Sequence, residues 1–229
     1  MSESGSLRYF AALRLASRRV VALLPQEPEA LGLLALMLHA EARSNARRGR
    51  KGGYVPLAEQ DPAAWDLQMT EEAEALLRRA SAMGTVGRYQ LEAAVQSAHA
   101  ARRRTGRDDR GRGADWAAIE RLYGELYALT RSPVVAINRA VALAETRGAA
   151  AGLAALDELS IDKRLPDYQP YWAARAGLLA GTGETEAAEQ AYDRAIGLEH
   201  DPAVRRFLQQ RRATLDEHAM RSVGRPPRR

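Results

Sequence analysis

The sequence predicts an all-α protein of about ten helices, paired antiparallel and stacked as a solenoid. Three observations predict it. Alanine is abundant and β-branched runs are scarce, which favours helix over strand. Apolar residues recur at i, i+4 and i+7 in segment after segment, the spacing of one helical face. Short breaks carrying glycine or proline separate these segments, so each helix is followed by a reversal of direction.

In chain order, a first amphipathic helix over 7–24 carries Leu7, Phe10, Leu13, Ala16 and Val20 on one side. Pro25 and Pro28 punctuate the link to a second helix over 29–46, apolar nearly all round through Met37 and therefore central. The run R-R-G-R-K-G-G, residues 47–53, reads as a mobile solvated loop. Asp61-Pro62 is a helix start, an N-cap followed by proline at the first helical position. That helix carries Trp65, Met69, Ala73, Leu76 and Ala80, and stops near Gly84. The next, over 88–103, turns Leu91, Ala94, Val95 and Ala98 inward, and a polar glycine-rich loop fills 105–113. Asp115 is placed to cap a helix with Trp116, Ile119, Leu122, Tyr123 and Leu126 on one face. Ser132-Pro133 opens another, with Val134, Ile137, Val141 and Ala144 inward and Gly148 at its end; 151–159 is its return helix. Asp201-Pro202 caps a last helix holding Val204, Phe207, Leu208 and Leu215. The whole reads as one helical-repeat domain over 1–219, less regular over 7–104 and more repeat-like over 114–219. A disordered basic tail is expected over 220–229.

The clearest unit is 170–201. Trp172, Ala176 and Leu179 share a helical face, Gly181-Thr182-Gly183 breaks that helix, and Thr185 can cap a second one carrying Ala188, Tyr192 and Ala195. Small alanines let the two backbones approach, and the aromatics fill the wider gaps. This layout resembles a tetratricopeptide repeat, a helix-turn-helix unit of about 34 residues. Turn glycines recur at Gly148 and Gly183, 35 residues apart.

Composition narrows function mainly by exclusion. Hydrophobic residues make up 46% and charged ones 28%, as in a soluble globular protein. Net charge is +5, but Lys51 and Lys163 are the only lysines, and such arginine bias reads as solvated surface ahead of a polyanion patch. With no cysteine, disulfides, thiolate metal sites and cysteine nucleophiles are excluded. The first ten residues lack the apolar core of a signal peptide, and the most apolar run, Leu31 to Leu38, is far too short to span a bilayer. A cytoplasmic protein without membrane contact is expected.

Motifs for chemistry are missing. His39, His99, His200 and His218 have no metal-ligand spacing, and the first two read as packing histidines. There is no G-x-S-x-G elbow and no phosphate loop, and neither Glu71-Glu72 nor Asp108-Asp109 is placed in a cleft. No catalytic residue, metal or cofactor is assigned, and no enzymatic activity is expected. The candidate partner-binding residues are Asn138 and Arg139, polar side chains inside an apolar helix, with Arg175 and Trp172. A buried amide or guanidinium must find partners, so Asn138 and Arg139 either cap a neighbouring helix end or face a groove. The arginines of 102–112 could attract phosphate non-specifically, but the aromatics lie on apolar faces, which argues against a nucleic-acid stacking platform.

Seven segments then appear in a telling order: H-A-E-A-R (39–43), E-Q-D-P-A-A-W-D (59–66), Y-Q-L-E-A-A-V-Q-S-A-H-A (89–100), D-W-A-A-I-E-R-L-Y (115–123), S-P-V-V-A-I-N-R-A-V-A (132–142), A-A-R-A-G-L-L (173–179) and R-R-F-L (205–208). Together they resemble the C-terminal helical-repeat, tetratricopeptide-like extension of a group of bacterial extracytoplasmic-function RNA polymerase sigma factors. The resemblance covers roughly residues 10–213, with a 47–53 loop more basic than the family's. It implies a protein-interaction and regulatory domain that modulates sigma-dependent transcription initiation through contacts with sigma-factor regions or RNA polymerase. The chain is expected to lack promoter-binding regions of its own, and specific DNA binding is not expected. The rival readings are a general tetratricopeptide-like scaffold with no transcription role, and a weak polyanion binder.

Overall fold

The computed structural model describes the backbone of residues 14–105 and 109–223, and the side chains of 14–101 and 115–215. Among the described residues there are ten helices and no strand, with the helices packed against one another in pairs. The chain divides into two compact units, Met1–Gly49 with Val55–Arg131, and Arg50–Tyr54 with Ser132–Arg229.

The first unit holds α1 (14–23), α2 (Pro28–Ala42), α3 (Leu67–Ser81), α4 (Arg88–Thr105) and α5 (Asp109–Thr130). Its axis is α2, which packs against both α3 and α4. Leu31, Leu34, Ala35 and Leu38 are buried, as a helix apolar on every side must be. Leu34, Ala35 and Leu38 join Ala73 of α3 and Ala93 of α4 in one cluster, with Val21 and Met69 at its rim. Gly32 sets the closeness of the α2–α4 crossing, since a Cβ there would lie 2.6 Å from the backbone nitrogen of Gln90. On α5, Ile119 and Leu126 are buried, and the Trp116 ring meets His99 of α4 edge-on at 5.5 Å.

Three local expectations are corrected here. Ala16 and Val20 do not form the inward face of α1: Ser17 is buried and Val21 packs on the core, while Val20, Leu23 and Leu24 are exposed. Ion pairs from Arg14 to Glu41 (2.5 Å) and Arg18 to Glu72 (2.6 Å) accompany this rotation. Second, Asp61-Pro62 opens only a single 3-10 turn, Pro62–Ala64. The helix proper starts at Leu67, where Asp66 Oδ1 accepts from Met69 N–H at 2.9 Å. Trp65, between the two starts, is buried beside Ala46 and Ala100, and its extended backbone is what separates turn from helix. Third, α5 begins at Asp109, so Asp115 lies inside a helix rather than capping one. The glycines of 111–113 are carried within that helix at a cost of about 1 kcal/mol each. The 47–53 loop is exposed over 49–53 and is bonded at its base: Val55 N–H donates to Arg47 O at 3.0 Å, and Arg47 Nη2 donates to Ala40 O of α2 at 2.8 Å.

The second unit holds α6 (Pro133–Arg147), α7 (Ala149–Asp157), α8 (Gln169–Thr182), α9 (Thr185–Leu198) and α10 (Pro202–Val223). Each packs on the next, the nearest-neighbour pattern of a helical repeat. Ile137, Ala140, Leu156, Leu165, Tyr171 and Leu178 form one buried cluster. A second joins Ala176 and Leu179 of α8 to Ala188, Tyr192 and Ala195 of α9 and Leu208 of α10, the faces that the helical spacing predicts. Gly148 at φ 90° turns α6 into α7 without a linker. Gly183 at φ 85° closes α8 in the left-handed region that glycine enters freely, with its N–H on Ala180 O. Asp201 caps α10 as its spacing predicts, accepting from Ala203 N–H at 2.7 Å. Tyr54, carried into this unit by the Arg50–Tyr54 loop, sets its ring edge-on to Phe207 at 5.4 Å.

Three readings differ in this unit. Thr185 is the first residue of α9 and makes no side-chain cap; Glu184 holds the cap position. On α6 the buried residues are Pro133, Ile137 and Ala140 on one side and Val135 and Ala142 on the other, leaving Val134 exposed. The backbone of α10 continues through Val223, so 220–223 are helical; residues 224–229, the rest of the expected tail, lie outside the described residues. Among the described residues no helix is long and apolar enough to cross a membrane.

Candidate docking groove

Helix α8 presents Trp172, Arg175 and Leu179 at i, i+3 and i+7, and α9 presents Ala187, Gln190, Ala191 and Arg194 at i, i+3, i+4 and i+7. Each set is one helical stripe. The α8–α9 turn sets the two stripes against each other, and with Pro166 of the α7–α8 loop they line a groove of 530 Å³. Leu179 and Ala191 are its buried floor, while Gln190 and Arg194 stand at the exposed edge.

Pro166 is fixed from both helices. Its carbonyl accepts from Trp172 Nε1 at 2.9 Å and from Arg194 Nη2 at 3.2 Å. Arg194 Nη2 also donates to Asp167 Oδ1 at 2.9 Å. A proline carbonyl has two lone pairs and no competing N–H of its own, so the loop is tied by acceptors alone. Arg175 pairs through Nη1 with Asp157 at the end of α7. Partial burial works against its charge, but the hydrogen bond and charge of Asp157 outweigh that and hold the guanidinium above its ordinary range. The Trp172 ring is braced edge-on by Tyr171 at 5.3 Å.

Of the sequence-predicted site residues, Trp172 and Arg175 come together in this groove. Asn138 and Arg139 do not line it: both are exposed on α6. They neither cap a helix nor sit buried: α6 buries Pro133, Ile137 and Ala140 on one side and Val135 and Ala142 on the other, and Asn138 and Arg139 fall on the exposed flanks between. Arg194 and Gln190 were not singled out from the sequence. Their signal is the α9 stripe itself, on which a long cation and an amide replace the expected apolar residues.

A second polar cluster lies within the first unit. Glu74 Oε1 accepts from Ser97 Oγ at 2.6 Å and lies 3.8 Å from Nε2 of the buried His39. Arg43 donates through Nε to His39 O at 3.2 Å and through Nη2 to Gln96 Oε1 at 2.5 Å. The Ser97 hydroxyl thus spends its proton on a carboxylate rather than on an imidazole, and the bonds link α2, α3 and α4 to one another. Burial pushes the Tyr123 phenol up to about 12, against the opposing pull of Arg43. His39 and His99 are both buried. Among the described residues no three His, Cys, Asp or Glu side chains gather as a metal-ligating group. The side chains of the 102–112 arginines lie outside the described residues.

Residues 6–81 match a family of unknown function (DUF6596). The chain is similar to an uncharacterized protein of Rhizobium meliloti (strain 1021), with 40% identity over 187 residues, 82% of this chain and 42% of that protein. It therefore spans less than half the length of that relative. No solved structure matches the chain.

Proposed function

We propose that this chain is a protein-interaction and regulatory module for sigma-dependent transcription, acting in the cytoplasm without catalysis, and that the α8–α9 groove takes up a segment of its protein partner. The observation that carries this reading is the groove's make-up: an indole and two guanidinium groups around an aliphatic floor. Tryptophan and arginine are the side chains that most often dominate binding energy at protein interfaces, because one buries a large rigid surface and the other adds directional donors. The helical hairpin supports the reading, since grooves between repeat helices accept helices and extended peptides. The resemblance to sigma-factor extensions suggests the partner, sigma-factor regions or RNA polymerase.

Direct binding tests it. Purified chain is titrated against RNA polymerase core and, separately, against sigma-factor regions, and Trp172→Ala is compared with the unaltered protein. Binding to either partner that weakens at least about tenfold in the variant, with helical circular dichroism unchanged, supports the reading. No binding to either, or binding indifferent to Trp172, overturns it. The double variant Asn138→Ala with Arg139→Ala leaves the fold intact because both residues are exposed. A loss of partner binding in that variant places a further contact on α6.

A further inference from the structure

We propose that the α8–α9 groove recognises an acidic, extended segment of a partner protein, a Glu or Asp carboxylate flanked by an aliphatic or aromatic side chain. This rests on reading the groove as the docking site, and it adds the chemistry of what docks.

Charge complementarity carries the proposal. The groove lining holds two cations, Arg175 and Arg194, and no carboxylate. The aspartates that pair with them, Asp157 and Asp167, lie outside the lining and are 52% and 86% exposed. Ion pairs that open to water contribute little, so a carboxylate seated inside the groove can compete for the same cations. Neither arginine is exhausted by its present bonds. Asp157 occupies Nη1 of Arg175, which also bonds the Tyr171 hydroxyl, and Asp167 shares Nη2 of Arg194 with the Pro166 carbonyl, whereas a guanidinium carries five donors. A planar fork on either side suits a carboxylate held by paired bonds, which lysine could not offer.

The floor sets the rest of the motif. Leu179 and Ala191 are buried in the cluster against which Trp172 packs and offer no side-chain hydrogen bond, so the residue beside the carboxylate must be apolar. The volume of 530 Å³ lies in the range of small-ligand sites, about 300–1,000 Å³, which admits roughly two or three residues and not a whole helix. An extended segment also brings backbone groups within reach of the Gln190 amide at the rim.

The test uses the full chain and three synthetic hexapeptides, blocked at both ends, that alternate isoleucine or leucine with glutamate, with glutamine or with lysine. The reporter is the indole N–H signal of Trp172, which donates to Pro166 O beside the groove, identified by its loss in Trp172→Phe. The glutamate peptide is expected to shift this signal saturably while the Trp65 and Trp116 signals stay in place. The glutamine peptide is expected to bind roughly tenfold more weakly, and the lysine peptide not at all. Arg175→Gln and Arg194→Gln each weaken the glutamate peptide by a similar factor. Asp157→Asn and Asp167→Asn release the cations and tighten it, a gain that a damaged fold cannot imitate. Equal binding of the glutamate and glutamine peptides, no shift with any peptide, or no gain from the asparagine variants overturns the proposal. Polymerase or sigma binding that depends on Trp172 while the peptides fail to discriminate leaves the docking site standing and removes only its acidic preference. Partner binding that ignores Trp172 removes both.

Discussion

Glu29 and Gly87 share one space. The Glu29 carboxylate sits where a side chain on Gly87 would project, and from there it caps a helix that begins about sixty residues further along the chain. Its Oε2 accepts from Tyr89 N–H at 3.0 Å and its Oε1 from Gln90 N–H at 3.1 Å, two of the unpaired donors at the start of α4. A carboxylate at a helix N-terminus also meets the positive end of the helix dipole. Gly87 is therefore required by its neighbour's side chain and not by its own backbone. Gly87→Ala evicts the carboxylate, at a cost of about 1–2 kcal/mol for the lost cap. Glu29→Ala costs a similar amount. The two are coupled: in the Glu29→Ala background, Gly87→Ala costs little more. Urea unfolding of the two single variants and the double variant measures this, and strictly additive losses would show that the two residues act apart.

The start of α3 makes a second prediction, because two aspartates compete for the role of cap. Asp66 accepts from Met69 N–H and opens a helix of 15 residues. Asp61 accepts from Ala63 N–H at 2.9 Å and opens a turn of three. Asp66→Ala is expected to lower stability by about 1 kcal/mol, the usual cost of losing an N-cap. Asp61→Ala is expected to cost less than half of that, since only one short turn depends on it. Thermal unfolding of both variants settles the order, and a larger loss for Asp61 would restore it as the principal cap.

These two starts show what the sequence reveals and what it hides. Helical period was legible wherever one face of a helix is covered, as along Trp172, Ala176 and Leu179, because burial imposes the spacing directly. Rotation was not legible on α1, where Ser17 and Val21 turn inward while Val20, Leu23 and Leu24 stay exposed, so apolar spacing points to the wrong face. Helix ends failed where two signals of equal strength lie within five residues, as Asp61 and Asp66 do. The Glu29 cap could not be read at all, since its donors lie about sixty residues away and local spacing carries no trace of them. At the groove, Arg175 was visible as a cation beside the apolar stripe of Trp172, Ala176 and Leu179, and Trp172 as a member of that stripe. Arg194 needed the α8–α9 turn to bring it across, and the exposure of Asn138 and Arg139 could not be read from spacing, because α6 buries residues on two opposite sides and leaves the flanks between them in solvent.

Glycines inside helices separate into two classes that substitution distinguishes. Gly32 faces the backbone of α4, and a Cβ there would meet Gln90 N at 2.6 Å and Tyr89 C at 2.9 Å. Backbone cannot swing aside, so Gly32→Ala pushes α2 from α4 and is expected to cost about 1–3 kcal/mol. Gly177 of α8 is exposed, with nothing within 4 Å of an added Cβ. Gly177→Ala gains helix propensity without a clash and is expected to stabilise by about 0.5–1 kcal/mol. Opposite signs in the two denaturation curves are the expected result; destabilisation at both sites would mean that Gly177 too serves a close approach.

Tyr123 gives the protein a specific weakness to alkali. Burial withholds water from the phenolate, so the folded state keeps the proton up to about 12, while an unfolded tyrosine releases it near 10.0. Below pH 10 both states are protonated and the whole contribution of the neutral phenol is present. Above it the unfolded chain binds fewer protons than the folded one, so stability falls as pH rises, by about 1.4 kcal/mol per unit, until the folded group also ionises. The loss attributable to this one residue reaches about 2–3 kcal/mol by pH 12. Tyr123→Phe has no proton to lose there. Urea unfolding at pH 7, 10 and 11 is expected to show the unaltered protein weakening more steeply than the variant over the last interval, with the two responding alike from pH 7 to 10. Parallel curves across the whole range would place the phenol in contact with water and remove the burial that raises it.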